Sequence, residues 1–161
     1  MGVMYGDLLM RVLYAVRPYE AEKGSANALY EKWTQKAKEN LVTGNYGEYK
    51  RNLKAITEDF DNLPLLDVKK PKVGVVGEIL VKYHPNANND IVNIIEKEGG
   101  EAVVLDLTDF LLYGMHSKEL NHKTLSGSYA MMMGNKAAIA VIEHFRKPLR
   151  KALRESKRFH E

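Results

Sequence analysis

The sequence predicts an α/β fold: a helical N-terminal part, then a Rossmann-like parallel β-α-β unit and C-terminal helices, with an incomplete sheet. Three observations predict it. Before residue 63 the apolar positions recur at steps of three and four, the period of helices buried on one side. Between Pro71 and Leu107 an apolar strand, a polar loop, a helix and a second apolar strand follow in turn, the unit from which parallel sheets are built. No other segment reads as a strand, and two strands alone leave edges unpaired.

In Val3 to Val16, the residues Val3, Leu8, Leu9, Val12, Leu13 and Val16 form a broad stripe, ended by Arg17-Pro18 because a residue before proline is pushed out of helical geometry. Ser25, a good N-cap, opens a second helix with Ala26, Leu29, Tyr30, Trp33 and Ala37 on one face. Gly44-Asn45 breaks it. A third helix over Tyr46 to Asn62 carries Tyr49, Leu53, Ile56 and Phe60, and an extended linker from Leu63 to Pro71 follows. The strand Lys72 to Val76 is apolar enough to be covered on both faces. A helix over Asn89 to Glu98 then buries Ile91, Ile94 and Ile95 and stops at Gly99-Gly100, since glycine accepts the left-handed conformation that closes a helix. After the strand Ala102 to Asp106 come a short helix (Phe110 to Tyr113), a polar loop (Gly114 to Thr124), a long helix (Leu125 to Phe145) and, beyond Pro148, a basic helix (Leu149 to Arg158). Residues 1–66 thus form a helical segment and 71–161 an α/β lobe with C-terminal helices. The helical stripe begins at Met1 without a preceding cap, so the sequence reads as a piece of a larger protein.

An apolar fraction of 45% and a charged fraction of 28% are those of an ordinary soluble domain. A net charge of +3 is too weak to indicate nucleic acid. The basic concentration from Arg146 to Arg158 reads as a solvated helix face, with anion binding as the alternative. The absence of cysteine excludes disulfides and thiolate metal sites within the chain, and makes a cytoplasmic location the expectation. No run is long enough for a membrane span.

Ligands on parallel sheets bind beyond the carboxyl ends of the strands, so function is sought first at Gly77, Glu78 and the asparagine cluster Asn86, Asn88 and Asn89. Gly74 to Glu78 is neither the dinucleotide G-x-G-x-x-G nor a P-loop. Gly77 makes the turn, and Glu78 is an acceptor or general base. One asparagine caps the following helix; three in four positions exceed what capping requires. Arg17, Tyr19 and Glu20, around Pro18, form either a capping turn or the dock between the two parts. His84, His116 and His122 do not have a metal spacing, no Ser-His-Asp order assigns a nucleophile, and Met131 to Met133 read as core filler.

The run from Val73 to Asn89, VGVVGEILVKYHPNANN, resembles a signature of acyl-CoA dehydratase activase-related proteins, the long relatives of the 2-hydroxyglutaryl-CoA dehydratase activator. Gly6 to Leu9, Arg17 to Glu20, Glu58 to Asp61, Glu98 to Leu105 and Asp109 to Tyr113 fit the same pattern in the same order, so the resemblance spans residues 2 to 114. It implies a parent protein in which an ATP-hydrolysing activator portion with a 4Fe–4S iron–sulfur cluster donates electrons to a dehydratase acting on a 2-hydroxyacyl-CoA. The matched portion is similar to dehydratase subunits. Without cysteine, and without nucleotide-binding glycine motifs of the actin-like type, the cluster and ATP chemistry belong outside this chain, which then serves as a non-catalytic wall of a cofactor or acyl-CoA site. Its expected partners are the remainder of the parent chain or a dehydratase subunit, and an acyl-CoA, with neither nucleic acid nor membrane. Two alternatives stand beside this: a stand-alone small-molecule-binding or signalling module in which Glu78 and Asp106 together bind a ligand or divalent ion, and a partner-docking segment using the N-terminal helices.

Overall fold

The computed structural model describes the backbone of residues 1–124 and 129–160 and the side chains of 1–117 and 132–160. The helical part follows its apolar periodicity. Helix α1 (Gly2–Val16) buries Met4, Tyr5, Leu8, Leu9, Val12, Leu13 and Val16, and passes at Arg17–Tyr19 into one 3-10 turn. Helix α2 (Ser25–Thr43) has Gly24 as its N-cap, with Ser25 as its first residue. Helix α3 (Tyr46–Asp61) is capped by Asn45, whose side chain accepts the Glu48 N–H. Tyr49, Leu53, Ile56 and Phe60 of α3 are fully buried against α1. Asn40, also fully buried, is satisfied: Tyr5 Oη donates to its Oδ1 at 2.8 Å, and its Nδ2 donates to the Asn45 carbonyl at 3.0 Å.

The α/β unit is present as expected, with an open two-stranded parallel sheet. Strands β1 (Lys72–Val75) and β2 (Glu101–Val104) pair from Lys72 opposite Glu101 to Val75 opposite Val104. Three elements lie between them, helix α4 (Ile79–Tyr83), a 3-10 turn (Pro85–Ala87) and helix α5 (Ile91–Lys97). Val92 and Ile95 of α5 cover Val75 and Ala102 in a small second core, while Ile94, expected inside, is 44% exposed. Helix α5 starts two residues later than the pattern predicts because Asn89 and Asp90 both take positive φ, 55° and 57°. It stops where predicted: Gly99 has φ +88°, and a Cβ on Gly100 would lie 2.9 Å from Ile95 Cγ2.

Full cover of β1 is corrected by the structure. Val73 is 40% exposed and only Val75 of this strand is buried, because α5 covers one face and, among the described residues, no third strand lies alongside. Alternation along the two strands then places Val76, Val103 and Leu105 on the other side, 80%, 41% and 57% exposed.

Two further expectations are overturned. The predicted short helix and polar loop form one helix, α6 (Leu107–Thr124), running through Gly114. The break at Pro148 is absent too: helix α7 (Tyr129–Glu155) continues through it, so the separate basic helix does not exist. Proline removes the N–H that would bond the carbonyl four residues back, here that of His144. Tyr46 Oη donates to that carbonyl at 3.4 Å, and Tyr49 Oη donates to the neighbouring Phe145 carbonyl at 2.7 Å, so α3 supplies what the proline withholds. The expected start of the long helix at Leu125 lies outside the described residues. Met133 is 48% exposed rather than core filler, and the side chain of Met131 lies outside the described set.

The end of α7 packs with α1 and α3 through Leu149, Ala152 and Leu153, followed by Phe159. Asp61 fixes this end, accepting from Ser156 Oγ at 2.9 Å, the Lys157 N–H at 2.9 Å and the Arg158 N–H at 3.1 Å. Residues 149–159 therefore share a core with the helical segment 1–66, although the α/β unit lies between them in the chain.

Candidate functional site

The carboxyl end of β1 turns sharply at Gly77, whose φ of +149° and whose missing Cβ, which would sit 3.1 Å from Val81 Cγ1, suit glycine alone. Glu78 follows as the N-cap of α4, its Oε1 accepting the Val81 N–H at 3.1 Å. Asn88 ties the loop: its Nδ2 donates to the Val81 carbonyl at 2.9 Å and its Oδ1 accepts the Ile91 N–H at 3.3 Å. Asn86 and Asn89 are exposed on the same loop. The five predicted residues are thus gathered at one end of the sheet, where Glu78 and Asn88 hold local backbone and Asn86 and Asn89 face outward. Leu80 of α4 and Tyr113 of α6 are 59% and 76% exposed, and Val76 and Leu105 at the strand ends are more than half exposed as well.

Arg17, Tyr19 and Glu20 separate into two roles. Arg17 grips α5 as a fork, Nε donating to Glu96 Oε2 at 2.8 Å and Nη2 to Glu96 Oε1 at 2.9 Å and Asn93 Oδ1 at 3.1 Å. Tyr19 Oη donates to Glu101 Oε2 at 2.8 Å, reaching the first residue of β2. These two do join the helical part to the α/β unit. Glu20 instead caps α2, accepting the Gly24 N–H at 2.8 Å and the Ala26 N–H at 3.0 Å. Because the Arg17–Glu96 pair is only 17% and 13% exposed, removing one partner strands a poorly solvated charge. Arg17→Ala should lower unfolding stability by about 2 kcal/mol. Urea denaturation of Arg17→Ala, Glu96→Gln and the double variant checks this. The double variant should be less destabilised than the two singles added together, and strict additivity would refute the link.

Sequence reasoning missed the polar cluster at the carboxyl end of β2. Asp106 is 3% exposed and binds Arg11, with Arg11 Nε at 3.3 Å from its Oδ1 and Arg11 Nη2 at 3.2 Å from its Oδ2. Burial pushes the Asp106 carboxyl up to about 6; Asp7 and Asp109 push the same way and Arg11 opposes them. Asp7, itself 4% exposed, reaches across from α1 to the start of α6, accepting the Leu107 N–H at 2.8 Å, the Thr108 N–H at 2.9 Å and the Thr108 hydroxyl. Asp109 pairs with Arg146 of α7. These partners are about 95, 100 and 37 positions apart in the chain, so no local pattern connects them. The expected sharing of one ion by Glu78 and Asp106 finds each engaged elsewhere, with α4 and with Arg11.

The iron–sulfur cluster implied by the resemblance does not fit this chain, since it has no cysteine to ligate iron. Among the described residues no three His, Asp or Glu side chains converge as a metal site, and no helix is long and apolar enough to cross a membrane. Comparison with family models, with curated proteins and with solved structures finds no match.

Proposed function

We propose that this chain is a non-catalytic α/β lobe of an acyl-CoA dehydratase activase-like iron–sulfur protein and forms one wall of a cofactor or acyl-CoA site. The observation that carries this reading is the surface at the strand ends. Val76 and Leu105, just past the ends of the two paired strands, and Leu80, in the helix that leads into the loop presenting Asn86 and Asn89, are all more than half exposed, as is Tyr113 of α6. Contiguous apolar surface rimmed by polar groups is what interaction and ligand sites present to solvent. The motif that bears the family resemblance is the segment forming this surface. The wall is completed by the remainder of a parent chain or by a dehydratase subunit, and the redox and ATP chemistry resides there. This chain supplies shape, apolar contact and amide groups.

Thermal shift with acyl-CoA esters tests the reading. A saturable rise in Tm is expected, reduced at least several-fold in apparent affinity by the double variant Asn86→Ala/Asn89→Gly. Glycine keeps the positive φ of position 89 at no steric cost, so the variant should fold. A rise of the same size in the double variant, or none in the native chain, would remove the loop from the site.

A further inference from the structure

We infer that the inner face of α7 is a phosphoryl-binding site, in which Arg150 and Arg154 grip the anion and Arg146 and Arg11 line the wall behind it. This goes beyond the proposed function and does not rest on it, since none of these residues belongs to the β1 loop. The spacing of four puts Arg146, Arg150 and Arg154 in one row along the helix, where like charges disfavour each other. The row borders a cavity of about 350 Å³ whose polar walls are Arg11, Arg146, Arg150 and Arg154 together with Asp106 and Asp109. A water molecule occupies about 30 Å³, so a phosphoryl group and its hydration fit.

Charge accounting makes the cavity an anion site rather than a closed ion-pair network. Asp106 answers Arg11, and Asp109 answers Arg146, which also approaches Glu143 at 3.6 Å. Arg150 then has only that same Glu143, at 3.1 Å, and Arg154, exposed, forms no ion pair among the described residues. Among the described residues Arg150 and Arg154 have one carboxylate between them, Glu143, which Arg146 shares, so the surplus positive charge lies at the solvent end of the row. The guanidinium fork matches the spacing of phosphate oxygens and bonds them in pairs, which an ammonium does not do. Leu149 and Leu153 beneath the row reduce the water available to compete.

Titration of the full chain with inorganic phosphate by calorimetry and ³¹P NMR tests this. Saturable binding is expected, weakened about tenfold by Arg154→Gln and similarly by Arg150→Gln, as befits the loss of one charge-assisted contact. Lys147→Gln, on the helix face that lines a different groove with Lys50 and Lys54, should leave the affinity within about twofold. Arg154 forms no ion pair among the described residues, so its variant should melt like the native chain. Two further arms locate the source of the phosphoryl group. CoA binding more tightly than dephospho-CoA, with the advantage lost in Arg154→Gln, assigns it to the CoA ribose phosphate. CoA and dephospho-CoA both binding no better than inorganic phosphate assigns it to free phosphate. The absence of saturable phosphate binding, or equal losses in Lys147→Gln and Arg154→Gln, overturns the site, and either result leaves the acyl-CoA test at Asn86 and Asn89 standing.

Discussion

Asp7→Ala should destabilise the protein by about 3 kcal/mol, the largest effect expected from a single polar truncation here. The carboxylate is buried on α1, yet its partners are the first two N–H groups of α6 and the Thr108 hydroxyl. A helix start leaves its leading N–H groups without intrahelical acceptors, and at α6 Thr108 is buried and Leu107 partly so, where water replaces the cap poorly. Truncation therefore removes three hydrogen bonds and leaves two backbone donors unsatisfied, each an expense of about 1–3 kcal/mol when buried. Asp7→Asn should fall between the two, because its amide keeps one acceptor oxygen and presents an NH₂ toward donors. Urea denaturation gives the energies. Amide exchange gives the location: Leu107 and Thr108 should lose protection in Asp7→Ala out of proportion to α2, because the hydrogen bonds of Asp7 go to α6. A loss below about 1 kcal/mol would show that α6 does not depend on this cap.

The same contact explains why part of the fold was legible in the sequence and part was not. Helices α1 and α3 announce themselves because their buried residues are spaced by their own period, and Tyr49, Leu53, Ile56 and Phe60 meet α1 as that period requires. Gly99-Gly100 signals the end of α5 through local backbone chemistry alone. Continuity of α6 and α7 is decided at long range. Gly114 reads as a breaker and Pro148 as a stop, yet Asp7 anchors the first helix, and the hydroxyls of Tyr46 and Tyr49 satisfy carbonyls of the second. No window of neighbouring residues contains that information. Helix α4 is different: glutamate is not among the preferred N-cap residues, so Glu78 reads as an acceptor or general base, and the fold turns its acceptor oxygen to the Val81 N–H. At the site the divide is the same. The loop from Gly77 to Asn89 is contiguous and therefore visible, and so was the docking potential of Arg17 and Tyr19, whereas Arg11, Asp106, Asp109 and Arg146 assemble from three distant segments. The four-residue spacing of Arg146, Arg150 and Arg154 was the available clue; a solvated helix face accounts for it equally well until the aspartates opposite are seen.

Asp106 should give stability a pH dependence opposite in sign to that of a salt-bridged surface carboxylate. Its folded-state carboxyl lies near 6 against an ordinary 3.8, with burial as the main cause. Between these values the folded protein holds a proton that the unfolded chain releases, so stability falls as pH rises from 4 to 6 and is level above that range. The gap corresponds to a ceiling of about 3 kcal/mol, reduced in practice by water reaching the ion pair with Arg11. Asp106→Asn removes the titration. Its stability relative to the native chain should therefore rise across pH 4 to 6 and stay constant from 6.5 to 8, where the native protein carries the buried charge. The gain above pH 6 should stay at about 1 kcal/mol, because the same substitution removes the carboxylate that faces Arg11. Guanidinium denaturation would screen the effect, so urea melts at low salt are the proper measurement. Native and Asp106→Asn curves running parallel from pH 4 to 8 would place the Asp106 carboxyl at its ordinary value and refute the role assigned to its burial. A divergence in the predicted sense would show that the carboxyl end of β2 holds a charge the fold tolerates at a cost, neutralised only in part by Arg11.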